Sequence, residues 1–174
     1  MEICSLEYGT KYLELYAIFN PLTFSIAFDP NGGDGKMEKQ NIFCDEKQQI
    51  QKNSFSKVGY HFIGWSLTSD GEIAYQDCDL LQMGAKDITL YATWQANENH
   101  IIFHSNGGSG EMNSQIIHSN ETVILNHCTF EPPEGYYFGG WSLLSNCEID
   151  YSDCGEIKGR YQERIDLYAI WLKK

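Results

Sequence analysis

Four of the five histidines in this chain, His100, His104, His118 and His127, fall in its second half, and Cys128 adjoins the last of them. Imidazole and thiolate together are the donor set of zinc and other transition-metal sites. His100 and His104 are spaced to share one face of a strand, and His118 could come opposite them across a hairpin. Asp77-Cys78 and Asp153-Cys154 each follow closely on a Tyr and set an acid beside a nucleophile. Asp29, Asn31 and Asp34 resemble the oxygen donors of a calcium loop. Asn31-Gly32-Gly33 and Asn106-Gly107-Gly108 have the composition of phosphate-binding loops. Trp65, Trp94, Trp141 and Trp171 could stack on sugar rings.

A duplication decides among these readings. Phe28 to Met37, carrying Asn31-Gly32-Gly33, returns as Phe103 to Met112, carrying Asn106-Gly107-Gly108. Gly59-Tyr60 and Gly64-Trp65-Ser66-Leu67 return as Gly135-Tyr136 and Gly140-Trp141-Ser142-Leu143. Tyr75-Gln-Asp-Cys78 returns as Tyr151-Ser-Asp-Cys154, and Leu90-Tyr91-Ala-Thr-Trp94 as Leu167-Tyr168-Ala-Ile-Trp171. The offset starts at 75 residues and reaches 77 by the last motif, so only two single-residue insertions separate the copies. Leu15-Tyr-Ala-Ile-Phe19 stands 75 residues ahead of Leu90 and reads as the tail of an earlier copy whose front half is missing. A repeat this regular sets the architecture before any local pattern does.

Measured against the repeat, the chemical readings weaken. A phosphate loop needs a helix N-terminus behind it and usually a Lys; here a strand is expected, and Lys36 becomes Glu111. The sixth calcium-loop position should be Gly but is Asp34, and Asp29 becomes His104. No His accompanies the Asp-Cys pairs in both copies, which favours capping or turn formation at Asp77 and Asp153. None of the four clustered histidines recurs as His, so any metal site would be private to the second copy; the simpler reading is a solvated hairpin face. The four Trp rings are best placed in the core, because units of about 75 residues have little else to bury.

Composition narrows the rest. A net charge of −12 and a pI near 4.7 exclude nucleic-acid binding, which needs concentrated Lys and Arg. Residues 1–20 carry Glu2, Glu7 and Glu14 and no apolar run, so they are not a secretory signal, and no stretch has the length of a membrane span. Six cysteines show no zinc-type spacing. Cys4, Cys78 and Cys154 occupy matching places in separate units and are poor candidates to pair, whereas Cys147 and Cys154 could meet across a turn. Most read as small, partly buried thiols.

Within one unit, Phe24 to Phe28 alternates as a half-buried strand does, and Asn-Gly-Gly supplies the positive φ of a tight hairpin turn. Met37 to Phe43 and Met112 to His118 are the expected returning strands. Strict alternation in the Gly-Tyr to Gly-Trp segment would set Tyr60, Phe62 and Gly64 on one side and His61, Ile63 and Trp65 on the other, with its glycines marking a bulge or a close backbone approach. Asp77 and Asp153 then stand where an N-cap would open a short helical turn, over Leu80, Leu81 and Met83 or over Ile157. The unit closes on the Leu-Tyr-Ala-x-Trp strand. The division is a truncated tail over 1–20, a first full unit over 21–95 and a second over 96–174, joined as beads on short linkers.

Strand, Asn-Gly-Gly, Gly-Tyr-x-Phe-x-Gly-Trp and Leu-Tyr-Ala-x-Trp, in that order and twice over, closely resemble the Listeria–Bacteroides repeat, also called the internalin B B-repeat. The resemblance implies a β-grasp-like, ubiquitin-like α+β module. It implies a tandem segment of a bacterial secreted or cell-surface protein, acting as spacer or stalk and in adhesion. It brings no catalytic residues, metal or cofactor, so the chain is not expected to be an enzyme. The partners it implies are other repeats or domains of the parent protein and a host-surface protein or glycan. A carbohydrate-binding module using surface aromatics is the alternative. Cys78 and Cys154 depart from the family, whose members often have Gly there, and Phe19 replaces the final Trp of the tail. Because that tail lacks its front half, the chain reads either as a fragment or as one whose Met1 lies inside a longer gene.

Overall fold

The computed structural model describes residues 15–161 and 164–174. Cys4 and most of the truncated tail lie outside them. The remainder of that tail forms no strand, and Leu15, Ile18 and Phe19 are exposed. In the two full units the matching motif is a central strand.

The first unit contains β1 (Thr23–Asp29), β2 (Gln40–Phe43), β3 (Lys47–Gln49), β4 (Tyr60–Ser66), β5 (Ile73–Tyr75), β6 (Leu80–Gln82) and β7 (Ile88–Ala96). The second contains β8 (Glu98–His104), β9 (Gln115–His118), β10 (Thr122–Ile124), β11 (Tyr136–Ser142), β12 (Glu156–Lys158) and β13 (Arg164–Lys173). The main sheets run β2-β1-β7-β4-β5 and β11-β13-β8-β9, and each is covered by a two-stranded ribbon, β3-β6 or β10-β12. First and last strands of each unit, β1 with β7 and β8 with β13, are parallel neighbours; all other pairs are antiparallel.

The α+β expectation is therefore overturned: the described residues contain no helix, and the fold is all-β. The expected helical turn is the ribbon strand β6 or β12. Leu81 and Met83 are buried while Leu80 and Gln82 are exposed, a period of two that three apolar residues in four concealed. Asp77 and Asp153 cap no helix; their carboxylates accept the backbone N–H of Asn53 and Cys128 at 2.8 and 2.9 Å. The next residues, Cys78 and Cys154, sit at φ 62° and 54°, left-handed values that break a helix at its first turn. A Gly at either position would adopt them freely.

Two further expectations shift. The Asn-Gly-Gly turn closes with a Gly33 N–H to Pro30 carbonyl bond of 2.9 Å, yet it does not reverse β1 directly into β2. Register pairs Ile26 with Gln40, so the reversal takes the whole loop 30–39, and Asp34 first bridges to Ser56. In β4 the register slips between Phe62 and Gly64, and in β11 between Phe138 and Gly140. These bulges put Phe62 and Trp65 on the same side, where strict alternation had separated them.

Each unit has its own buried cluster. Trp65 and Trp141 are 0% exposed, and three Phe rings surround each: Phe28, Phe55 and Phe62 at 5.1, 6.1 and 4.9 Å, and Phe103, Phe130 and Phe138 at 4.9, 6.1 and 4.9 Å. Leu90 and Ala92, or Leu167 and Ala169, floor the cluster from the closing strand, and Ile50, Leu81 and Met83, or Leu125 and Ile157, roof it. Replacing Trp141 by Ala should cost the second unit about 3–5 kcal/mol in urea unfolding; a loss below about 1 kcal/mol would contradict the caged ring.

Candidate functional site

The repeated motif residues converge on one structural device. Asn31 and Gly32 take φ 48° and 81°, and Asn106 and Gly107 take 46° and 97°, the left-handed pair that Asn-Gly supplies most cheaply. The Asn31 amide donates to the Ala92 and Ser69 carbonyls at 3.0 and 2.7 Å; Asn106 does the same to Ala169 and Ser145 at 2.9 and 2.8 Å. Each turn is thereby tied to the closing strand. The closing Trp ties it a second time: Trp94 Nε1 donates to the Pro30 carbonyl and Trp171 Nε1 to that of Ser105, both at 2.9 Å. A Cβ on Gly33 would lie 2.7 Å from the Trp94 ring, and one on Gly108 would lie 2.5 Å from Trp171. The motifs therefore travel together because their atoms touch.

Gly64 and Gly140 have a similar cause at the bulges. Their φ values are 147° and 150°, and a Cβ would come within 2.9 and 2.6 Å of the Tyr75 and Tyr151 carbonyls. Trp94 and Trp171 are half-buried against Phe62 and Phe138, and Tyr91 and Tyr168 lie on the sheet face opposite Leu90 and Leu167. With Trp65 and Trp141 wholly enclosed, no exposed Trp platform is available for sugar.

Gly59 and Tyr60 belong to the junction. Only residue 97 separates β7 from β8. Its N–H donates to the Gly59 carbonyl at 2.9 Å, its carbonyl accepts the Ser119 N–H at 3.0 Å, and its side chain meets His61 Nδ1 at 3.0 Å. The Asn120 amide reaches the Tyr60 hydroxyl at 3.4 Å. Gly59 also packs under Tyr161, whose ring would be 2.4 Å from a Cβ there, whereas Gly135, with the same φ of 79°, has open space. Tyr136 at the matching place is partly exposed.

The predicted histidine cluster is dispersed. Register places His118 opposite Glu98 and Ile116 opposite His100. His100 pairs with Glu98, His118 with Glu121, and His104 stacks on Tyr168 while bonding Asp166 at 2.6 Å. His127 contacts Asp153 instead, and His127, Asp153 and Cys154 bring one donor atom each within 4.8 Å of one another, the only such group among the described residues. The sequence pattern set His127 with the other histidines and Cys128, and read Asp153-Cys154 separately, so it did not join these three. Cys128 beside it is buried, and desolvation pushes its thiol upward. Cys44, Cys78, Cys128, Cys147 and Cys154 are all free, so the Cys147–Cys154 pairing is not formed.

The folded pattern and the ordered motifs define a class, a tandem of small aromatic-cored β modules. The Listeria-Bacteroides repeat domain matches the chain over residues 24–93 and again over 100–170, and the chain belongs to that family. A protein of Evansella cellulosilytica named as a Gly-rich membrane protein is 29% identical over 128 residues, covering 69% of this chain and 15% of its own length. A second from that organism, named as a membrane protein, is 27% identical over 92 residues, covering 51% of this chain and 14% of its own. The chain thus spans under a sixth of either relative. No solved structure matches it. Among the described residues no helix is long and apolar enough to cross a membrane.

One charged group gives a pH signature. Hydrogen bonds from the Arg164 guanidinium and then from His104 hold the Asp166 carboxyl below the usual carboxylate range. A depressed folded value contributes stability that is present above about pH 4, the unfolded value, and is lost as pH falls through the folded one. Asp166→Asn should therefore lower the urea midpoint at neutral pH and flatten its fall below about pH 4. An unchanged acid limb would show that the carboxylate contributes nothing.

Proposed function

We propose that this chain is a non-catalytic spacer segment of a bacterial surface or membrane-associated protein, in which successive repeats hold a set relative position. Membership of a generally non-catalytic repeat family supports the first part, and the naming of both relatives as membrane proteins supports the location. The carrying observation is the junction. A linker of one residue whose N–H bonds back to the first unit and whose carbonyl bonds forward to the second has almost no torsional freedom to spend. The same two bonds recur at the outer positions: Leu22 accepts the Cys44 N–H at 2.8 Å, and the Lys174 N–H donates to Gly135 at 2.9 Å. The motif thus carries its own rule for joining one copy to the next.

Adhesion, in this reading, falls to the free edge strands β2 and β9, which can add a strand from a host-surface protein. For the alternative, glycan stacking would fall to exposed Tyr rings such as Tyr137 and Tyr161, since two Trp rings are enclosed and two half-buried.

Small-angle scattering tests the spacer. The unaltered chain should give a narrow interunit distance distribution, and replacing Asn97 by a five-residue Gly-Ser stretch should broaden it. If the unaltered chain already scatters as broadly as the variant, the spacer is not stiff and the reading fails.

A further inference from the structure

We propose that His127, Asp153 and Cys154 form a binding site for a divalent transition metal of the zinc type, with its remaining position open to solvent. The two copies provide the comparison. In both, the Asp of the Asp-Cys pair accepts the backbone N–H of the residue two before the buried Phe, at 2.8 Å for Asp77 and 2.9 Å for Asp153. In both, the Cys that follows is held at positive φ. The frame is thus repeated, and what changes is the residue immediately before the bonded N–H. The first copy has Lys52, an ammonium with no lone pair to offer; the second has His127.

The donors suit the ion. Asp153 commits Oδ1 to the Cys128 N–H, an outer bond that orients the carboxylate, and turns Oδ2 toward Nδ1 of His127. Cys154 is exposed, in contrast to Cys128, and can reach an incoming cation. One imidazole nitrogen, one carboxylate oxygen and one thiolate are a zinc ligand set, with donors about 3.5 Å apart in a tetrahedral shell. The present spread of up to 4.8 Å closes by small side-chain movements, which a His127 side chain 72% exposed can make. On binding, the thiol releases its proton to solvent, neutral imidazole carries its proton on Nε2, and the metal takes the place between Nδ1 and Oδ2.

The test uses the whole reduced chain with Cys4→Ser and Cys147→Ser removing thiols outside the site. One equivalent of Co2+ should give tetrahedral visible bands and a thiolate-to-cobalt charge-transfer band, both displaced by Zn2+. His127→Lys, which copies the first unit, and Cys154→Ser should each weaken binding at least about tenfold. In the unaltered chain, stoichiometric Zn2+ should slow alkylation of Cys154 at least about tenfold, on the same scale, while leaving Cys78 unaffected. Absence of the charge-transfer band, its survival in His127→Lys, or equal protection of Cys78 and Cys154 would overturn the site.

Discussion

Each unit depends on one enclosed indole. Trp65 and Trp141 are the largest side chains with no solvent exposure, and each meets three Phe rings drawn from the first strand, the long loop and the bulged strand. Tilted and edge-on contacts of this kind add about 0.5–1.5 kcal/mol each beyond area burial. With neither disulfide nor helix among the described residues, this cage brings distant segments to a common point. Both indole N–H groups are buried without a hydrogen-bond acceptor among the described residues, so the cage is held by shape and ring electrostatics. The bulge follows from the same requirement. Were Ile63 and Gly139 paired in regular register instead of bulged, Phe62 and Phe138 would face away from the Trp they contact.

Much of this was legible because the chain repeats itself. Strands β1, β4 and β7 and their counterparts were visible from alternation and from motif order, and the Trp rings were assigned to the core by size. The Asn-Gly-Gly turn was recognisable, although its role was not: no local pattern reports that Asn31 is tied to Ala92, sixty-one residues on. The helical turn was misread for a physical reason. Leu80, Leu81 and Met83 are too densely apolar to reveal a period, and the buried positions are distinguishable only once β3 is known to lie alongside. The positive φ at Cys78 was the missing signal, and a Cys side chain gives no sign of it.

The copies also show what the fold requires and what it tolerates. The Asn, Gly, Ala and Trp of the turn clamp are the same in both because each atom has a partner in the other motifs. Elsewhere the copies differ even where the side chain is buried: Phe24, packed on the core, becomes Asn99, bonded to the Arg160 carbonyl at 2.9 Å, and at the surface Lys52 becomes His127. Comparison between the copies thus separates scaffold from local novelty, but spacing alone could not join His127 to Asp153 and Cys154, twenty-six and twenty-seven residues on.

The parallel pairing of first and last strands has a mechanical consequence. The chain enters a unit through β1 and leaves through β7, which run side by side in one direction with Ile26 beside Ile88 and Asp29 beside Tyr91. Tension on the two ends draws these strands past one another, so their shared hydrogen bonds are loaded together in shear and not peeled one at a time. With β8 and β13 arranged likewise, a polymer of such units would resist stretching at the centre of every sheet.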